Sequence, residues 1–120
     1  MGTTHVTVTV RNPAQPEQMW EGLFRVDPTA MNSLAPGTCL RRIGLQPRGK
    51  RSYELADGSK VEVDIASAQV EFMGDVACIT MIFGEDDTEP ILGLTALESV
   101  GVKVYPQDQC LKRLPAVRLK

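Results

Sequence analysis

The sequence predicts a single all-β domain with two short helices, and three observations support this prediction. The 120 residues suit one domain, and a hydrophobic share of 42% is sufficient for one core. From Thr3 to Val10, polar and β-branched residues alternate as in a half-buried strand. Asp57-Gly58 separates two strand-like runs, and this dipeptide favours the tight turn of a hairpin. Residues 1–120 are therefore predicted to form one domain.

The first half of the chain is predicted to supply two strands and a helix. The alternating strand ends at Asn12-Pro13, and a second strand, Met19 to Val26, carries core residues. This strand leads into Asp27-Pro28, where the proline disfavours the helical region for Asp27 and keeps that residue extended at the strand end. Further on, Thr38 to Ile43 suits a short helix that Gly44 stops.

The second half is predicted to add two hairpins and a second helix. The run from Val76 to Phe83 is apolar at nearly every position, as in a strand at the centre of a sheet. The second helix has a capping box of Thr95 and Glu98 and stops at Gly101. The remaining predicted segments are a loop or hairpin tip over 14–18, a hairpin with arms 53–56 and 59–65, a hairpin over 69–83, an acidic loop over 84–90, the helix itself over 95–100, and closing strands over 102–105 and 110–119.

Composition excludes several classes of protein. The net charge is -2, so no overall positive field attracts nucleic acid or anionic lipid, and neither nucleic acid nor membrane is an expected partner. The longest apolar stretches are far shorter than the ~20 residues of a membrane span. The N-terminus lacks the features of a signal peptide, which predicts a cytoplasmic location. Cys39, Cys78 and Cys110 form no CxxC pair, which indicates reduced thiols rather than a disulfide framework or a metal site.

A short sequence pattern occurs twice in the chain, and we call this repeat the internal echo. Residues 40–45 and 97–102 share the pattern Leu-x-x-[Ile/Val]-Gly-[Leu/Val], and each copy ends a short helix that follows a strand. Two such units predict a pseudo-symmetric domain in which strand, turn and helix are repeated.

Four features in this order resemble the retropepsin-like aspartic proteases, and they extend over nearly the whole chain. They are the strand into an Asp motif, Leu23-Phe24-Arg25-Val26-Asp27-Pro28-Thr29-Ala30, the hairpin Tyr53-Glu54-Leu55-Ala56-Asp57-Gly58, the element Ile91-Leu92-Gly93, and the helix from Thr95 to Gly101. The resemblance implies an acid-protease barrel that forms a two-fold homodimer, acts on a peptide or protein substrate and needs no cofactor or metal ion. The site residues that it implies are catalytic Asp27, the active-site loop Pro28, Thr29 and Ala30, the flap Leu55, Ala56, Asp57, Gly58 and Ser59, and the supporting element Ile91, Leu92 and Gly93.

The resemblance also implies a mechanism of aspartic endopeptidase type. Family members carry one catalytic Asp per chain, so Asp27 from two chains would meet at the two-fold axis. Two carboxylates about 3 Å apart cannot both ionise, so they share a proton. One then acts as a base toward water and the other as an acid toward the scissile carbonyl. The flap would close over an extended peptide and offer it backbone hydrogen bonds.

The Asp motif departs from that of the family, which leaves alternatives open. The family reads Asp-Thr-Gly-Ala where this chain reads Asp27-Pro28-Thr29-Ala30. Pro28 has neither the hydroxyl nor the N–H of the family threonine, which braces the dimer, and Thr29 would be strained at a positive φ. The alternatives are a catalytically impaired descendant that binds peptides in the same cleft, and a structural dimerisation module. Without the resemblance, Asp27 would be interpreted as an Asx-turn or capping residue.

Other conspicuous residues are predicted to be structural. Trp20 suits core packing, and His5 lies at the polar phase of its strand. The basic cluster and the acidic loop are expected to be solvated. These groups are Arg41, Arg42, Arg48, Lys50 and Arg51 on the one hand, and Glu85, Asp86, Asp87 and Glu89 on the other.

Overall fold

The structure, a computed structural model, describes residues 4–105 and 110–114. Within these residues the chain forms nine strands and two short helices. Their bounds are β1 His5–Asn12, β2 Gln15–Val26, β3 Ser33–Pro36, α1 Gly37–Arg42, β4 Gly49–Glu54, β5 Lys60–Phe72, β6 Asp75–Gly84, β7 Ile91–Leu92, α2 Leu94–Ser99, β8 Val102–Tyr105 and β9 Cys110–Arg113. The all-β prediction with two short helices is confirmed.

Seven strands form one sheet in the order β1-β2-β7-β3-β6-β5-β4, and β8 and β9 pair separately. The long strand β5 also pairs with β1, where Gln69 to Glu71 lie opposite Thr9 to Arg11. The pairings of β1, β2, β7, β3, β6 and β5 therefore run in a closed circuit, and β4 lies outside it. Two of the pairings are parallel, β2 with β7 and β3 with β6. Strand β6 lies between β3 and β5, which is the central position that its apolar run predicts.

The core forms where the alternating strands turn their apolar side chains inward. In β1 the residues Val8 and Val10 are fully buried, whereas Thr7 and Thr9 point away from the core. Phe24 of β2 and Met81 of β6 are also fully buried. Burying a side chain of this size stabilises the fold by about 1.5–3 kcal/mol. The core also includes Val26 and Leu92, the residues that directly precede Asp27 and Gly93 in the chain.

Each predicted helix lies within one residue of its expected bounds, but several strands are longer than predicted: β4 begins at Gly49, and β5 runs unbroken from Lys60 to Phe72. The hairpin turns at Gly58 and Gly74 have φ of 86° and 80°, as tight turns require. Strand β2 begins at Gln15, earlier than predicted, because a register shift after Arg11 brings Gln15 opposite Asn12. The capping box is wrong: Gly93 caps α2 without a side-chain hydrogen bond, and the Thr95 hydroxyl donates to Met31 O at 3.0 Å.

The internal echo corresponds to two strand-helix units. β3 leads into α1 and β7 leads into α2, and the two strands pair with each other at Leu34 and Ile91. Each helix is followed by a glycine with positive φ, 85° at Gly44 and 70° at Gly101. Of the predicted closing strand 110–119, residues 115–119 lie outside the described part. In the part of the chain that the structure describes, no helix is long and apolar enough to cross a membrane.

Candidate active site

Asp27 lies directly after the buried end of β2. Val26 is in the core, so the side chains of Arg25 and Asp27, on either side of it, lie on the opposite face of the strand. The Asp27 backbone N–H donates to Leu92 O at 3.0 Å, which continues the pairing of β2 with β7. The Asp27 side chain is 24% exposed. The carboxylate is therefore fixed by the sheet while it remains accessible.

The predicted supporting element and the Asp27 loop are brought together by hydrogen bonds. Leu94 N donates to Ala30 O at 2.7 Å, Thr95 N donates to Met31 O at 3.0 Å, and Gly93 N donates to Ser33 Oγ at 2.9 Å. A Cβ added to Gly93 would lie 2.6 Å from Asn32 O, so only glycine allows this close approach. The loop after Asp27 is thereby clamped to the start of α2.

The two oxygens of the Asp27 carboxylate have different surroundings. Oδ1 accepts hydrogen bonds from the Thr29 hydroxyl at 2.5 Å and the Thr29 amide at 3.0 Å. Oδ2 lies 3.7 Å from Arg25 Nη1. The Thr29 hydroxyl is the main cause that lowers the pKa of Asp27; burial opposes it, and the Thr29 amide and the charge of Arg25 reinforce it.

Thr29 reaches the carboxylate without backbone strain. Among the described residues other than glycine, only Met73 has a positive φ. The amide that follows the Asp-Pro pair therefore approaches Asp27 from an ordinary conformation. The Thr29 hydroxyl donates to Asp27 of its own chain.

A row of charged side chains runs from Asp27 across three segments of the fold. Arg25 Nε donates to Glu89 Oε1 at 2.9 Å, and His5 Nε2 lies 3.2 Å from Glu89 Oε2. His5 and Arg25 are cross-strand partners in the β1–β2 pairing. Hydrogen bonds from His5, and next from Arg25, lower the pKa of Glu89, so it is ionised near neutrality. Sequence reasoning missed this row, although the two-residue spacing of Arg25 and Asp27 signalled part of it.

The residues predicted to form the flap, Leu55 to Ser59, make a closed local turn. Leu55 N donates to Ser59 O at 2.7 Å, Gly58 N donates to Leu55 O at 2.9 Å, and both the amide and the hydroxyl of Ser59 donate to Asp57 Oδ1. Within the part of the chain that the structure describes, no hydrogen bond joins these five residues to the Asp27 loop. The link lies near the end of β4, just before this turn, where the Nδ2 of buried Asn32 donates to the Tyr53 hydroxyl at 2.6 Å. Sequence reasoning did not identify this contact.

An apolar groove of about 530 Å³ begins beside the Asp27 loop. Its lining includes Pro28 and residues from α2, β8 and the end of the described chain: Leu94, Leu97, Val102, Val104 and Leu114. A cavity of about 620 Å³ is lined by residues such as Asn12, Gly44 and Arg48, and none of the Asp27 loop borders it. The smaller groove is therefore the one adjacent to the candidate chemistry.

The other residues singled out in the sequence make packing, ion-pair or cation–π contacts. Trp20 is half-buried and packs on Phe24 with ring centroids 5.7 Å apart. In the basic cluster, Lys50 lies 3.5 Å from Asp64, and Arg41 lies over the ring of Phe83. Across residues 4–105 and 110–114, no three His, Cys, Asp or Glu side chains converge as a metal-binding group.

Comparison with known proteins gives no match: neither the family models nor the curated proteins contain a counterpart of this sequence. One chain offers one accessible carboxylate at a rigid strand end, with one of its oxygens held by Thr29 and the other near a guanidinium.

Proposed function

We propose that this chain is a retropepsin-like aspartic endopeptidase, which hydrolyses peptide bonds as a homodimer with Asp27 from each chain. The observation that carries the proposal is the clamped position of Asp27. Three hydrogen bonds from residues 93–95 hold the loop that follows it, and the carboxylate stays partly exposed. A reacting group needs such rigid support, because small displacements cost much of the rate.

The proposed chemistry uses two Asp27 carboxylates that share one proton. The ionised carboxylate removes a proton from water while the protonated one donates its proton to the oxygen of the scissile carbonyl, which yields a tetrahedral diol. The carboxylate that is now ionised takes a proton from one hydroxyl of the diol, the C–N bond breaks, and the carboxyl that gained the proton from water donates it to the leaving nitrogen, which returns the pair to its one-proton state. Asp27 Oδ2, which the Thr29 hydrogen bonds to Oδ1 leave unoccupied, is the oxygen proposed for this exchange.

The groove beside Pro28 supports the homodimer. An apolar surface this close to Asp27 is a suitable contact for a second copy related by a two-fold axis through the dyad. The closing strand predicted over 110–119 would contribute apolar side chains to this interface. Within the described part, Leu111 packs partly against the core and Leu114 is exposed in the groove.

The substrate is proposed to be an extended peptide between the Asp27 loop and the hairpin 53–60. Met31 and Leu55 are 64% and 49% exposed, and each lies within two residues of the Asn32–Tyr53 hydrogen bond. These two side chains would contact apolar side chains of the peptide. The hairpin backbone would pair with the peptide as a strand does.

A second candidate function is favoured by one observation. The Thr29 hydroxyl donates to Asp27 within the same chain, which stabilises the ionised carboxylate and so opposes the proton sharing of a dyad. An impaired descendant would keep the dimer and bind peptides in the same cleft without cleaving them. A module that only dimerises would neither bind nor cleave peptides.

A peptide-library cleavage assay from acidic to neutral pH, with Asp27→Asn as the control, tests the proposal. Light scattering on the same samples gives the oligomeric state. The endopeptidase predicts a dimer that cleaves peptides and an Asp27→Asn dimer that does not. A dimer that retains peptides without cleaving them identifies the second candidate. A stable monomer would rule out both functions.

A further inference from the structure

Among the described residues, Arg25 is the cation that lies within 4 Å of the candidate catalytic carboxylate. Its Nη1 lies 3.7 Å from Asp27 Oδ2, whereas the Thr29 hydrogen bonds go to Oδ1. The two side chains project from the same face of β2, and they are only 30% and 24% exposed. A charge pair that is partly shielded from water is screened less than one on the open surface.

The position of Arg25 is held from its other side by Glu89. Arg25 Nε donates to Glu89 Oε1 at 2.9 Å, and the Arg25 backbone N–H donates to Pro90 O at 2.9 Å. Glu89 Oε2 in turn lies 3.2 Å from His5 Nε2. Both the strand and the side chain of Arg25 are thus attached to the segment just before β7, so the guanidinium is constrained to stay beside Asp27.

We propose that Arg25 is a positioning residue for the reaction, and that with Glu89 it sets the pH range over which the two Asp27 carboxylates can share a proton. The effect of Arg25 on cleavage rests on the proposed function. The arrangement of Arg25, Asp27 and Glu89 does not depend on that function.

The direction of the effect follows from the charges. A dyad is active while it holds one proton, so activity has an acidic limb and a basic limb that belong to the pair. A nearby cation favours the ionised form of each carboxylate and moves both limbs to lower pH. In a two-fold dimer each Asp27 brings its own Arg25. Glu89 partly neutralises that guanidinium and so reduces the displacement.

The remaining charged groups on the packed elements are placed further along the site. Glu98 of α2 and Lys103 of β8 line the groove beside Pro28. His5 of β1 contacts Glu89. The Thr29 hydroxyl acts on Oδ1 and lowers the pKa of Asp27 more than Arg25 does. Arg25 acts on the other oxygen, so its removal should leave the Thr29 hydrogen bonds in place.

Three variants measured over the same pH series test the inference. Arg25→Met removes the charge with similar bulk and should move both limbs of the cleavage profile to higher pH. Arg25→Lys keeps a charge and should give limbs between those of Arg25→Met and the wild type. Glu89→Gln keeps an acceptor oxygen but leaves Arg25 unneutralised, so it should move both limbs to lower pH. Arg11→Met, which removes a guanidinium that Glu71 binds at 2.7 Å, is the matched control and should leave the profile unchanged.

A second readout separates this inference from the proposed function. Carbon-13 NMR titration of the Asp27 carboxyl needs no activity and should show a higher midpoint in Arg25→Met and a lower one in Glu89→Gln. If no variant cleaves any peptide, the proposed function fails, and the Asp27 midpoint alone decides the role of Arg25. Unchanged midpoints in folded Arg25→Met and Glu89→Gln, or cleavage limbs that do not move, would overturn it.

Discussion

The loops at Asp27 and Asp57 contain the same local hydrogen-bonded turn in different surroundings. In each, the residue two positions on donates from its amide and its hydroxyl to Oδ1 of the aspartate: Thr29 at 3.0 and 2.5 Å, and Ser59 at 2.8 and 2.6 Å. In each, these hydrogen bonds lower the pKa of the aspartate. The turn alone therefore does not distinguish a reacting carboxylate from an exposed one.

The difference lies in what surrounds each turn. Asp27 continues the pairing of a buried strand, its loop is clamped by residues 93–95, and Arg25 faces its second oxygen. Asp57 is exposed at a hairpin tip, where a Cβ on Gly58 would meet no heavy atom within 4 Å. Support from distant segments of the chain, rather than the turn itself, marks the Asp27 loop as the candidate site.

The largest difference between the two loops is expected when each carboxylate is removed. Asp27→Asn should reduce peptide cleavage by about 10²–10⁴-fold or more, because it removes the group that transfers protons. Asp57→Asn should change cleavage by less than about twofold, since the flap acts through its backbone. Rates on one reference peptide, with dimer mass as a folding check, measure this. Equal losses in the two variants would contradict the distinction.

Changing the turn at Asp27 toward Asp-Thr-Gly should raise activity. Pro28→Thr with Thr29→Gly supplies a hydroxyl that can brace the dimer and removes the one bonded to Oδ1. One preorganised donor at a reacting site is worth about 10²–10³ in rate, so a gain of about tenfold or more is expected. Ser59→Ala is the matched control at the other turn and should give no gain. A restored variant that cleaves nothing in a broad library would end the protease hypothesis.

Glycine-to-alanine substitutions at the two loops should distinguish the effect of losing the clamp from the effect of backbone strain. Gly93→Ala places a Cβ 2.6 Å from Asn32 O and should lower the free energy of unfolding by about 1–3 kcal/mol. It should also reduce cleavage, because the Asp27 loop must shift. Gly58→Ala meets open space but has φ +86°, so it should cost about 1–2 kcal/mol through strain alone. Urea unfolding with parallel cleavage assays checks both, and unaffected cleavage in Gly93→Ala would argue against the clamp.

The smallest expected effect is on the pH dependence of stability. The pKa of Asp27 is lowered in the folded state, so its ionised form stabilises the fold above the unfolded value, 3.8, and that contribution is lost as the pH falls through the lowered value. Thr29→Ala should therefore lower the free energy of unfolding at neutral pH and converge with the wild type in acid. Ser59→Ala should show a smaller change of the same sign, since Asp57 is exposed. Free energies of unfolding measured from neutral pH into acid, at fixed protein concentration, test this prediction. A stability deficit of Thr29→Ala that grows in acid would contradict it.

Local sequence signals predict much of this fold. The period-two alternation of β1, the Asp57-Gly58 turn and the glycine after α1 each depend on neighbouring residues, and each is confirmed. The capping box fails because tertiary contact overrides it: the Thr95 hydroxyl bonds Met31 from another part of the chain. A local motif is thus reliable only where no distant segment competes for its groups.

The candidate site could be predicted only in part. The strand leading to Asp27 and the element at 91–93 are visible in the sequence. The contacts of Glu89 with His5 and Arg25 are not, because they join residues 84 and 64 positions apart and depend on the order of β1, β2 and β7 in the sheet. The Asn32–Tyr53 hydrogen bond likewise depends on where the hairpin lies over the loop.

Subunit mixing tests most directly the central claim that two chains each supply one Asp27. Wild-type protein and Asp27→Asn are combined in varying ratio at constant total concentration, allowed to exchange subunits, and assayed for cleavage of one peptide. A shared dyad predicts that activity follows the square of the wild-type fraction, so an equal mixture retains about a quarter. Activity that falls in direct proportion to the wild-type fraction, or no cleavage at any ratio, would contradict the account.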